Sequence, residues 1–168
     1  MNKSERAYFN TCGVWLNPDS KEIFDANQVK EVAEKQIGKN KERVYGEILK
    51  NKGFQFFGSK LEANCYLELL KLFNKEEIFL QPKLELIKPK PGIHRGISWK
   101  PDFCVIDSLK ALRIFVEAKG FETEAYRIKR TLFLEFVPMA VLIVAKKPTD
   151  VQAIKTIHSK FTIGRELF

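Results

Sequence analysis

The chain has few of the residues that usually hold transition metals. Its 168 residues include two histidines and three cysteines, and Cys12, Cys65 and Cys104 stand far apart. They form neither a CxxC zinc pattern nor a disulfide framework, so a reducing, cytoplasmic setting is expected. With only His94 and His158 present, neither a zinc hydrolase nor a two-histidine, one-carboxylate oxygenase is expected. Long apolar runs are missing too. No segment is expected to span a bilayer, and the opening MNKSERAYFN lacks the apolar stretch of a signal peptide. Acidic side chains are also in short supply, 21 Asp and Glu against 29 Lys and Arg, for a net charge of +8. This excess favours a polyanionic partner such as DNA or RNA. A merely basic soluble protein is the plain alternative.

What is present suits a globular protein: 45% of residues are hydrophobic and 30% charged. The length fits one domain with room for an appendage. We divide the chain into an N-terminal, partly helical extension over residues 1–50 and a main domain over 51–168.

Residues 1–26 mix aromatics with the turn formers NPDS and read as irregular structure or a short strand pair. From Asn27 to Lys50, apolar positions at Val29, Val32, Ala33 and Ile37, then Val44, Ile48 and Leu49, predict two helices separated near Gly38 and Asn40. Their lysine-rich face is either solvated surface or a DNA-facing arm. In SKLEANCYLELLKLFNKEE, Leu61, Cys65, Leu69 and Phe73 recur every four residues, which predicts an amphipathic helix. Ser59 is a suitable N-cap with Glu62 three residues on.

IFLQPKLELIKP reads as one strand and KPGIHRG as a turn. Strands are predicted from Asp102 to Ile106 and from Arg113 to Ala118, with a turn through Asp107 to Ala111. TEAYRIKRTLFLEF reads as a helix with Tyr126, Ile128, Leu132 and Phe133 on its apolar side. The run MAVLIVAKK has the length and composition of a strand covered on both faces. TDVQAIKTIHSKF closes the chain as a short helix capped by Thr149 or Asp150. This order predicts a mixed α/β fold, a central sheet flanked by helices. Cys65 and Cys104 read as small core residues.

The chemistry gathers between Trp99 and Lys119, in WKPDFCVIDSLKALRIFVEAK. Side chains alternate along a strand, so Phe115, Glu117 and Lys119 share one face. If the two strands pair as a hairpin, Asp102 at the start of one lies opposite Glu117 at the end of the other. Two carboxylates brought together repel unless a cation neutralises them. Mg²⁺ is suited to that task, and its bound water is a better nucleophile at neutral pH. Lys119 would orient that water or stabilise a pentavalent phosphate. Glu62 would supply a third carboxylate; its alternative role is a capping box with Ser59. For Asp102, Glu117 and Lys119 the alternative is a structural ion pair at a sheet edge. Glu-x-Lys alone is a weak signal, since Asp19-Ser20-Lys21 offers the same spacing within a polar turn. Arg127, Lys129 and Arg130, on the helix that follows, are candidate phosphate contacts. Ser59 and Gln81 complete the substrate-contacting candidates. His94 and Arg95 precede the Asp102 strand in a loop.

SKLEANCYLELL, WKPDFCVID, FVEAKGFET and YRIKR together resemble the PD-(D/E)XK nuclease superfamily, in particular its small phage and prophage endonucleases. The likeness covers about Phe54 to Ala145. It implies a restriction-endonuclease-like core of order αβββαβ and Mg²⁺-dependent hydrolysis of DNA, with Mn²⁺ expected to substitute. Asp102 and Glu117 would be metal ligands, the Ala118 carbonyl a further one, Lys119 the catalytic lysine and Glu62 the helix carboxylate. The chain is also similar to phage Holliday-junction resolvases, which implies a homodimer, because two symmetric cuts need two sites. The alternative from another class is a non-catalytic basic DNA-binding protein that keeps the fold.

Overall fold

The computed structural model describes residues 13–25, 28–29, 41–107 and 112–157. The chain forms two compact units, Met1–Leu67 and Glu68–Phe168. The boundary expected at residue 50 falls inside the first of them. Apart from Gln28 and Val29, the first helix expected between Asn27 and Ile37 lies outside the described residues. So do Cys12, residues 108–111 of the expected turn and the last helix beyond Ile157.

In the first unit, strands β1 (Val14–Leu16) and β2 (Ile23–Asp25) pair antiparallel, with Trp15 opposite Phe24. The turn between them is set by Asn17, whose Oδ1 accepts the backbone N–H groups of Asp19 at 2.9 Å and Ser20 at 3.1 Å. The competing Asp19-x-Lys21 spacing therefore sits in a tight polar turn. Helix α1 (Lys41–Asn51) leads into β3 (Gln55–Phe57), which pairs antiparallel with the other edge of β1. Trp15, Val29, Leu49 and Phe54 bury together, and the Trp15 and Phe56 rings meet edge-on at 5.5 Å. The short strand pair offered for residues 1–26 is present as β1 and β2, and β3 completes a three-stranded sheet, β2-β1-β3. Strands this short carry too few residues for alternation to show in sequence.

Helix α2 (Lys60–Leu69) starts as expected at Ser59, whose Oγ accepts the Glu62 N–H at 3.1 Å. It ends before Phe73, which lies in the turn region that follows.

The second unit is built on a mixed sheet of order β4-β7-β8-β9. Its strands are β4 (Ile78–Leu80), β7 (Phe103–Asp107), β8 (Leu112–Ala118) and β9 (Ala140–Ala145). β4, β7 and β8 run antiparallel in turn, and β9 lies parallel to β8. Such a parallel return requires a crossover, which is supplied by helix α3 (Glu124–Phe136). Its N-cap Thr123 accepts the Tyr126 N–H at 3.2 Å.

The single strand expected over residues 78–89 is broken. Gln81 takes a left-handed φ of 45° ahead of Pro82, and the chain leaves the main sheet there. It continues as β5 (Leu84–Ile87), which pairs antiparallel with β6 (Ile97–Trp99) in a separate two-stranded sheet. Gly96 makes this hairpin possible. Its φ is +76°, and a Cβ there would come within 2.6 Å of the Ile87 carbonyl oxygen.

Alternation divides β7 and β8 into two faces. Cys104 and Phe115 pack with Leu86 and Trp99 of the small hairpin and with Tyr126 and Phe133 of α3. Phe133 anchors this cluster, with ring centroids 5.2 Å from Phe115 and 5.4 Å from Trp99. Phe103, Val105, Ile114 and Val116, on the opposite face, are fully buried. β9 is an edge strand and only half-covered, not covered on both faces as its composition suggests. Ile128, expected on the apolar side of its helix, is 53% exposed, because α3 presents Tyr126 and Phe133 to the core. The final helical segment starts as a 3₁₀ turn (Pro148–Gln152) with Lys147 at the cap position. Asp150, one of the expected caps, accepts the N–H groups of Lys146 and Lys147 at 2.9 and 3.0 Å. Among the described residues no helix is long and apolar enough to cross a membrane.

Candidate active site

The register of β7 on β8 pairs Phe103 with Val116. Continued by one residue, it sets Asp102 opposite Glu117. The Asp102 carboxylate confirms the closeness of the two strand ends by accepting the Ala118 N–H through Oδ2 at 2.8 Å. On the other side of Asp102, its carbonyl accepts the Gln81 N–H at 2.8 Å. The break after β4 therefore ties down the residue that opens β7. Gln81 itself is exposed at that corner.

Glu117 is 5% exposed, and its Oε1 takes the Lys119 ammonium at 3.3 Å. Its other oxygen, Oε2, is buried with no hydrogen-bond partner. A carboxylate oxygen without a partner away from water is costly, and the cost falls on the charged form. Burial therefore lifts the Glu117 carboxyl to about 7, helped by the neighbouring Asp102 charge and opposed by Lys119. Burial also raises Asp102, against the Ala118 N–H and the Lys119 ammonium.

Lys119 is held from three sides. Its N–H donates to the Ala145 carbonyl at 2.9 Å, extending the β8–β9 ladder by one residue. Its ammonium meets Glu117 and lies 5.0 Å from the centroid of the Tyr126 ring. Tyr126 is itself 4% exposed, and its hydroxyl is buried without a partner. Burial and the Glu117 charge push that phenol up to about 12.

These groups line an open cleft of about 450 Å³. The end of β6 and the residue after it contribute Ser98, Trp99 and Lys100. Glu117 and Lys119 come from the end of β8, and Thr123, Ala125, Tyr126 and Lys129 from the start of α3. Three lysines thus surround one carboxylate in a cleft at a helix N-terminus, where anions are favoured.

Of the residues expected from sequence, Asp102, Glu117, Ala118 and Lys119 come together, and Lys129 joins them at the cleft. Arg130 pairs with Glu122 at 3.8 Å, and Arg127 is exposed on α3; neither is among the cleft residues. Ser59 and Glu62 lie in the first unit at the start of α2. There Glu62 is 7% exposed, and its Oε2 accepts the Gly58 N–H at 2.9 Å. The reciprocal cap is present, with the carboxylate reaching one residue further back than Ser59. His94 is occupied in its own loop, bridging to Lys90 and accepting the Gly96 N–H through Nδ1 at 3.2 Å. Sequence reasoning missed Ser98, Lys100, Thr123 and Tyr126. The available signal was Thr123 as a helix cap, which sets the first turn of α3 a few residues beyond the Lys119 strand end.

Among the described residues no group of three or more His, Cys, Asp or Glu side chains is placed to hold a metal ion. Asp102 and Glu117 are a pair of hard oxygen donors, one with an unpaired buried oxygen. That is a fit for Mg²⁺, which is commonly bound by one or two carboxylates, with water and substrate phosphate filling the remaining positions. It does not fit a closed, all-protein zinc or calcium cage.

Residues 41–148 match the family model described as "Protein of unknown function (DUF1064)", and the chain belongs to that family. Neither the curated proteins nor the solved structures contain a match to it.

Proposed function

We propose that the protein is a Mg²⁺-dependent nuclease of the PD-(D/E)XK type that hydrolyses DNA phosphodiester bonds. The observation that carries the reading is the convergence of Asp102, Glu117 and Lys119 at the open end of one hairpin, with a Glu117 oxygen buried and unpaired. The strand order supports it. Three antiparallel strands, a helix and a strand parallel to the third make up the βββαβ part of the order that the resemblance implies. The basic cleft supports a phosphate-bearing substrate.

In this reading Asp102 and Glu117 would hold Mg²⁺, and the Ala118 carbonyl would be a further ligand. Glu62 enters as a further carboxylate on the resemblance alone. Bound Mg²⁺ would supply a water of lowered pKa and neutralise charge on the phosphate. Lys119 donates hydrogen bonds to the attacking water or to the phosphate oxygens that gain charge. Lys129 and Lys100 draw the flanking phosphates into the cleft. Glu117 must be ionised to serve, so its proton is displaced as the cation binds.

The test uses supercoiled plasmid and four-way junction DNA with Mg²⁺, Mn²⁺ or EDTA, comparing wild type with Lys119→Ala. Metal-dependent cutting by wild type that the variant lacks is the expected result. Identical behaviour of the two in every condition would leave the non-catalytic DNA-binding protein as the better reading. Preference for junctions over linear duplex would point to the resolvase form and its dimer.

A further inference from the structure

Lys119 has two partners of different kinds, and metal binding affects them differently. Glu117 attracts the ammonium as a free carboxylate. A cation on that carboxylate removes much of the attraction and adds repulsion of like charge. The Tyr126 ring is a neutral partner whose π-face attracts the ammonium whether or not Glu117 is engaged. The ring is also rigid. It is buried, meets Trp99 edge-on at 6.0 Å, and belongs to the first turn of α3, whose N–H at Tyr126 is fixed by Thr123.

The hydroxyl is buried without a hydrogen-bond partner, so replacing Tyr126 by Phe removes no hydrogen bond from the free protein and keeps the ring. What the residue brings to the cleft is its face.

We infer that Tyr126 is a positioning residue: its ring holds the Lys119 ammonium over the cleft once Glu117 has turned its charge to the metal. This rests on the nuclease reading for its catalytic consequence, but not for the contact itself. The ring keeps the lysine from swinging out to solvent, where a long flexible side chain otherwise gains rotamer freedom. Tyr126 acts through Lys119 and touches no reacting atom.

Two readouts on Tyr126→Phe, Tyr126→Leu and Lys119→Ala test this. The first is the ring-current shift of the Lys119 ε-methylene protons, read by NMR with EDTA and with Mg²⁺. The upfield shift is expected in wild type and Tyr126→Phe under both conditions, and is expected to be lost in Tyr126→Leu. The second is plasmid cleavage. Tyr126→Leu is expected to lose about tenfold in kcat with little change in KM, the rate equivalent of a cation–π contact at a partly exposed ammonium. Tyr126→Phe should stay within about threefold of wild type, since it keeps the ring. A Phe variant as slow as the Leu variant would assign the role to the hydroxyl and overturn the proposal. Loss of the wild-type shift on adding Mg²⁺ would overturn it as well. If wild type cuts no DNA at all, the nuclease reading fails. The NMR arm then still decides whether the ring holds the lysine.

Discussion

Replacing Glu117 by Gln should make the metal-free protein more stable while abolishing the DNA cleavage proposed for it. The carboxyl has an ordinary value of 4.5 and is lifted to about 7 in the fold. The folded state therefore binds this proton more tightly than the unfolded state. Between these values the unfolded chain releases the proton first, so the wild type loses stability as pH rises from about 4.5 to 7. Below that window the neutral Glu117 costs nothing, and above it the loss is complete. With about 1.4 kcal/mol for each pH unit of difference, the loss amounts to about 3 kcal/mol. Gln has the same shape and no proton to lose. Glu117→Gln and wild type should thus unfold alike near pH 4, and the variant should be about 3 kcal/mol more stable at pH 8. For a chain of this size that corresponds to roughly 6–12 °C in Tm. Urea unfolding across pH 4–8 with EDTA measures the difference directly. Added Mg²⁺ should narrow the gap at pH 8 by stabilising wild type alone. Equal stability of the two proteins at pH 8, or a weaker variant, would refute the claim that a buried, unpaired carboxylate sits here.

Three further outcomes are expected. The Mg²⁺ concentration giving half-maximal cleavage should rise about tenfold for each pH unit below about 7 and level off above it, because the cation displaces the Glu117 proton; a flat dependence from pH 5.5 to 8 would count against Glu117 as a ligand. Lys129→Ala should weaken binding of labelled duplex DNA whatever its sequence and lower the slope of log affinity against log salt by about 0.9, as read by fluorescence anisotropy. Phe133→Ala should cost about 3–5 kcal/mol in denaturant unfolding, since this fully buried ring joins α3 to both Phe115 and Trp99; a loss below about 1 kcal/mol would mean the cluster repacks.

The hairpin was legible because two independent patterns coincide there. Parity put Glu117 and Lys119 on one face, and pairing as a hairpin would set Asp102 opposite Glu117; the observed register agrees with that pairing. α2 announced its start by a capping residue that the structure uses; Thr123 does the same for α3, a signal the sequence carried unread. The small strands were not legible for a physical reason. β3 and β6 hold three residues each, and half-exposed strands of that length show no alternation. The break at Gln81 was hidden because a left-handed residue before proline leaves no mark in hydrophobic patterning. Tyr126 was filed with the apolar face of its helix, correctly by burial. Only the fold shows that the same ring floors a charged cleft.

The backbone bond from Lys119 to Ala145 has a consequence for the order in which this molecule can be made. β9 reaches β8 only after α3 has been laid across the sheet, so the pairing closes a long loop and comes late. A chain still emerging from the ribosome can already form the β7–β8 hairpin with Asp102 and Glu117 in place. Its lysine, however, lacks its backbone anchor at the frayed end of β8 until residue 145 is free to dock. The site is therefore completed only when β9 docks, and a chain cut short before β9 carries the acidic pair with a lysine whose backbone is not anchored.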